Sequence, residues 1–219
     1  TEIRSATFYK CLSLTSIDIP SSVTKIGRSA FYGCSSLTSI DIPSGVTEIG
    51  EDAFCGCSSL AISLEIPQGI TEIGEYTFSG CSSLTSIEIP SSVTEIGKGA
   101  FSGCSRNLAS ITVETNNPRY DSRGNAIIET ATNTLLLGCR FTKIPQGITE
   151  IGESAFSRCS SLASIEIPSS VTEIGEDAFY GCSSLTSIEI PSSVTEIGEA
   201  AFYGCSSLTS IEIPSGVTE

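Results

Sequence analysis

The stretch GCSSLTSIEIPSSVTEIGEAAFY, residues Gly181–Tyr203, decides the fold. Within it Ser187-Ile188-Glu189-Ile190 alternates polar and apolar, the period of a strand with one buried face. Leu185, three residues earlier, points to the same interior. Pro191 has no amide to donate and ends the strand. Ser192-Ser193 reads as a polar turn, after which Val194 and Ile197 return to the interior along a short extended stretch. Gly198 permits a tight bend. Ile197, Ala201, Phe202 and Cys205 then share one face at helical spacing, so the sequence predicts a short helical turn closed by Gly204.

The stretch recurs. Cys34, Cys57, Cys81 and Cys104 fall 23, 24 and 23 residues apart, and Cys159, Cys182 and Cys205 fall 23 apart. Pro20, Pro43, Pro67 and Pro90, then Pro145, Pro168, Pro191 and Pro214, keep the same beat. One unit cannot bury both its Ile row and its Phe, whereas stacked copies bury both by piling like on like. The expected fold is a repeat solenoid of about 23-residue coils with parallel strands ~4.8 Å apart. Phe8, Phe31, Phe54, Phe78, Phe101, Phe156, Phe179 and Phe202 should form one column. A Phe101→Ala change should then cost roughly 3–5 kcal/mol. The extra residue in Leu60–Pro67 is expected as a bulge before Leu64, because a slip inside a strand would turn its side chains inside out.

The period breaks after Cys104, and Pro90 to Pro145 spans 55 residues. Organisation is therefore expected as one domain, 1–219: coils over 1–113, an irregular island over 114–144 and further coils over 145–219. Ala126–Glu129 and Thr134–Cys139, around a polar turn, predict a β-hairpin. The island reads either as a modified coil that continues the stack or as a loop that grips a partner. Arg119, Tyr120 and Arg123 are the candidates for such a grip, being basic and aromatic in an acidic chain.

The unit L-x-x-I-x-I-P, then V-T-x-I-G-x-x-A-F-x-G-C, resembles a leucine-rich repeat of the BspA-like, Treponema-type subclass over nearly the whole chain. That resemblance implies a curved solenoid with its parallel sheet on the concave side. It also implies a bacterial or parasite cell-surface location and roles in adhesion and host-protein binding. Departures from the pattern are Arg4 for Gly, Thr7 and Thr77 for Ala, and Lys10 and Arg158 for the second Gly. The end coils carry no polar cap, and the chain opens on T-E-I and closes on V-T-E. This reads as a stretch cut from a longer array or as one that joins end to end.

Composition narrows the function. The 219 residues include 25 acidic and 11 basic side chains, net −14, and no His. Without imidazole there is no Ser-His-Asp triad and no His-ligated zinc. The negative field repels nucleic acid and anionic membranes, and no run approaches the ~20 apolar residues of a membrane span. Ser pairs lack a base, and the acids are repeated equivalents rather than a differentiated pair across a cleft, so neither enzyme nor cofactor is expected. An outward acidic row runs Asp18, Asp41, Glu65, Glu88, Thr112, Glu166, Glu189, Glu212, and a second follows V-T. It reads as a solvated face, a contact for a protein partner, or a place for weak divalent-cation binding; no calcium-loop motif is present. Eight of the ten Cys are expected as buried, reduced thiols, because coils ~4.8 Å apart hold their Cβ atoms too far apart for disulfides. Cys55, in a position elsewhere held by Tyr, should face solvent. Two functions fit: a protein-binding or adhesion module, or a spacer or self-assembling array that touches only its own kind.

Overall fold

The structure, a computed structural model, describes residues 1–61 and 63–218. Like does pile on like. The Ser-Ile segments form parallel pairs and triplets: Ser16–Ile17 with Ser39–Ile40, Ser63–Glu65 with Ser86–Ile89 and Ser110–Val113, and Ser164–Glu166 with Ser187–Glu189. The V-T-E-I stretches build a second set of parallel ladders, such as Glu2–Ile3, Lys25–Ile26 and Glu48–Ile49. Register sets each residue on its counterpart, for example Ile165 on Ile188 and Glu166 on Glu189. The bulge expected before Leu64 falls at Ile62, outside the described residues. On one side of it Ala61 still donates to the Thr38 carbonyl, and on the other Ser63 is already level with Ser86.

The helical turn is not there: no helix occurs among the described residues. The segment after each Ile-Gly is instead a chain of β-turns. Ala30 donates to Gly27, Tyr32 to Ser29 and Cys34 to Phe31, each three residues back. The amides between them leave the coil altogether. Ser29, Phe31 and Gly33 donate to Glu51, Ala53 and Cys55 of the next coil at 2.7–2.8 Å. Ser29 and Gly33 have φ of +53° and +69°, and the same two positions are left-handed in later coils, as at Asp177 and Gly181. A left-handed residue every fourth position stops a right-handed helix from propagating. Lys10 and Arg158, which stand where other coils have Gly, take φ of +54° and +59°.

The Phe column forms but is not continuous. Phe8, Phe31, Phe54, Phe78 and Phe101 stack with ring centroids 5.1–5.7 Å apart, and Phe156, Phe179 and Phe202 form a second stack. Between them Gly138 takes the Phe place, its amide donating to Ala155 as Phe156 donates to Ala178. A Cβ on Gly138 would lie 2.2 Å from the Phe156 ring, so the ring occupies space a side chain would need. The buried apolar residues correspondingly fall into two clusters that meet at the island.

The island contains the expected hairpin, Ile127–Glu129 against Thr134–Leu137, and a third antiparallel strand, Tyr120–Asp121. Thr134 and Leu135 then pair in parallel with Glu150 and Ile151, so the hairpin ends inside the ladder of the following coils.

Candidate interaction surface

The outward acids of the Ser-Ile-Glu strands are held by alternation: Ile188 and Ile190 are buried, so Glu189 between them faces out. Asp18, Asp41, Glu65, Glu88, Glu166, Glu189 and Glu212 are all exposed. Glu65 is level with Glu88, Glu88 with Thr112 and Glu166 with Glu189. Over the first half of this face lies an open groove of about 820 Å³. Its apolar lining includes Ile40 and Leu64, and Asp41, Glu65, Glu88 and Glu114 supply carboxylates. Glu114 is fixed there by the Ser91 amide at 2.7 Å and by Gln68 at 2.6 Å, and these bonds hold its carboxyl below the usual range.

The second row stands on the V-T-E-I ladders. Lys25 interrupts it and pairs with Glu48 at 2.6 Å. Glu173 sits between Glu150 and Glu196 in register, and burial, then those two neighbours, push its carboxyl up. Burial and the nearby Glu176 and Glu199 raise Asp177 in the same way. Among the described residues no three Cys, Asp or Glu side chains converge as a metal site.

The three island candidates are placed differently from one another. Tyr120 is 3% exposed, and its hydroxyl accepts the Ile96 amide at 2.9 Å, taking the place of a ladder carbonyl. It is a packing residue and presents nothing to a partner, because the hairpin folds back on the preceding coil. Arg119 is exposed, but it donates to Glu129 at 2.8 Å and to the Thr94 carbonyl at 3.0 Å. Burial pushes the Glu129 carboxyl up, but the Arg119 and Thr132 hydrogen bonds outweigh it and leave the group below its ordinary value. Arg123 is exposed and pairs with Asp121 at 2.8 Å. Arg119 and Arg123 are thus both paired to acids of the island itself. The sequence reading overlooked Lys143, two residues before Pro145, where other coils carry an acid; the spacing to the proline was the available signal.

The ten cysteines are free. Cys55 is half-buried rather than solvent-facing, lying beside Tyr32 and Ser79. Cys139 is buried and accepts a hydrogen bond from the Asn125 amide group at 3.3 Å.

Comparison with known proteins matches the pattern described as a BspA type leucine rich repeat region to residues 1–123 and 136–219, in six copies. A leucine-rich repeat protein from Eubacterium ventriosum is 28% identical, with a TM-score of 0.73, over 91% of this chain and 60% of its own. The pneumococcal vaccine antigen PcpA shares the fold at 22% identity and a TM-score of 0.65, over 93% of this chain and 51% of its own. A leucine rich cell surface protein from Faecalibacterium prausnitzii is 29% identical over 97% of this chain and 82% of its own, with a TM-score of 0.48. This chain therefore spans about 60% of the length of the Eubacterium structure and about half that of the pneumococcal one. No curated protein matches the sequence. Among the described residues no helix is long and apolar enough to cross a membrane.

Proposed function

Because the chain belongs to the BspA-type leucine-rich repeat family, whose fold generally mediates protein interactions, we propose that it is an extracellular protein-binding module making cell-surface or host-protein contacts. The observation that carries this reading is the outward carboxylate column, held in register on rigid strands above a groove with an apolar lining. Rigid strands spare a partner the entropy of ordering the surface, and repeated groups favour multivalent contact. The family is generally non-enzymatic, and we read this member in the same way. One observation favours a spacer or self-assembling array instead: the exposed Thr-Ser-x-Glu positions hardly vary from coil to coil. Capture from extracellular-matrix and host-surface preparations separates the two. A protein captured by the parent and lost when Glu65, Glu88, Glu166 and Glu189 become Gln supports the binding module. No capture, together with light scattering that shows mass rising with concentration, supports the array.

A further inference from the structure

The outward column changes character midway. Glu88 is level with Thr112, the Ile111 amide next to it donates to the Asn125 side chain, and the Lys143 amide donates to the Gly124 carbonyl at 2.9 Å. The next level is Glu166, which borders a hollow shared with Lys143. Between Glu88 and Glu166 the residues two before the strand end are Thr112 and Lys143, and the nearest carboxylate, Glu114, is turned back onto Ser91 and Gln68.

The turn leading to Lys143 is also unlike its counterparts. Six coils read Cys-Ser-Ser-Leu, as at Cys182–Leu185, and the first reads Cys11-Leu12-Ser13-Leu14; here the turn is Cys139-Arg140-Phe141-Thr142. Thr142 donates its amide to the Cys139 carbonyl at 3.0 Å. Its buried hydroxyl accepts the Cys139 amide at 2.8 Å and donates to the Asn125 carbonyl at 2.7 Å. The turn is therefore well held, yet Phe141 is 52% exposed, with the Arg140 guanidinium 4.6 Å from its ring centre. Serine satisfies the same turn elsewhere, so the fold does not demand this Phe. Neither Arg140 nor Lys143 makes an ion pair among the described residues, although acids outnumber bases more than two to one. An exposed aromatic under an arginine is the composition of an interface anchor.

We infer that Arg140, Phe141 and Lys143 anchor the partner on this face, and that the partner is a protein segment with a carboxylate beside an apolar side chain and basic residues on both sides. The charge pattern sets this chemistry. The carboxylate meets Arg140 and Lys143, the apolar group covers Phe141, and the flanking bases face Glu88 on one side and Glu166 and Glu189 on the other. A long polyanion would run from the basic level straight onto those acids and be repelled.

This inference rests on the protein-binding reading of the same face. Its probe is a synthetic peptide, K-K-G-E-F-G-K-K, set against its charge-reversed form E-E-G-K-F-G-E-E and against heparin, all titrated onto the full chain. The first peptide should bind at least about ten-fold more tightly than the reversed one, and F141A and K143E should each weaken it about five-fold or more. Both substitutions are at exposed positions, so their melting curves should overlay the parent. Equal binding of the two peptides, no loss in F141A and K143E, or tighter binding of heparin overturns the inference. Capture of a host protein that is abolished by the Glu→Gln changes but indifferent to F141A and K143E would remove this anchor and leave the binding module standing.

Discussion

Seven cysteines each donate their S–H to a main-chain carbonyl of the stack below. Cys34, Cys57, Cys81, Cys104, Cys182 and Cys205 reach a Phe carbonyl at 3.0–3.2 Å, and Cys159 reaches Ser105 at 3.5 Å. The Phe carbonyls already accept the amide of the Cys three residues on, so each thiol adds a second donor from the next coil, beyond filling space as a small apolar group. Cys81→Ala should therefore cost about 0.5–1.5 kcal/mol in denaturant unfolding, since it removes the second donor to a Phe54 carbonyl that keeps the Cys57 amide. Burial pushes the thiols of Cys57, Cys104 and Cys159 up to about 12. A thiol-reactive dye should label exposed Cys11 quickly, half-buried Cys55 slowly and the remaining eight only on unfolding. The left-handed Arg158 invites relief. Arg158→Gly, which matches the other coils, should raise stability by about 0.5–1 kcal/mol by the same measurement.

At the scale of the element, a column is strongest where it has neighbours on both sides. Phe54 stacks on Phe31 and Phe78, whereas Phe101 stacks on Phe78 only. Phe54→Ala should cost near the upper end of the roughly 3–5 kcal/mol range for Phe truncation and Phe101→Ala near the lower end. Equal midpoint shifts would contradict the break in the stack. The acidic ladder makes the opposite prediction. The Glu173 carboxyl is raised in the folded chain, so protonating it stabilises the fold; that benefit is complete below its unfolded pKa and is lost as pH rises through the folded one. Glu173→Gln mimics the protonated form. It should raise the melting midpoint at pH 7 and make no difference near pH 4. A Gln variant that melts below the parent at pH 7 would mean the stacked carboxylates do not repel.

Across the whole molecule the net charge of −14 opposes a stack that brings like charges level with one another. The repulsion per exposed pair is only about 1 kcal/mol in water and is screened by salt, but it is repeated along both rows. Melting temperature should rise between low and moderate salt. In pH, the raised carboxyls of Glu173 and Asp177 gain stability as pH falls from 7, while the lowered ones of Glu114 and Glu129 lose theirs only below the ordinary carboxylate range. A scan of melting temperature should therefore rise as pH falls from neutral toward the ordinary carboxylate range and fall again below it.

The 23-residue beat of Cys and Pro, with Ile alternating against Glu, was enough to determine the coil, the parallel ladders and the outward acids, and two apolar runs around a polar turn were enough for the hairpin. Identical units have one economical way to bury identical faces, so period and alternation carry the fold. Three features had to wait for tertiary structure. The segment from Gly198 to Cys205 has helical spacing, but neighbouring coils claim every second amide, and a hydrogen bond between coils leaves no mark on spacing within one. Tyr120 is polar-tipped and lies in an irregular stretch, yet it is buried because the hairpin folds onto Ile96, a contact 24 residues away. The Phe column breaks at Gly138, and Lys143 comes to share a hollow with Glu166, because the island changes the count of residues per coil. Once the count changes, only the stack itself shows which side chains come level.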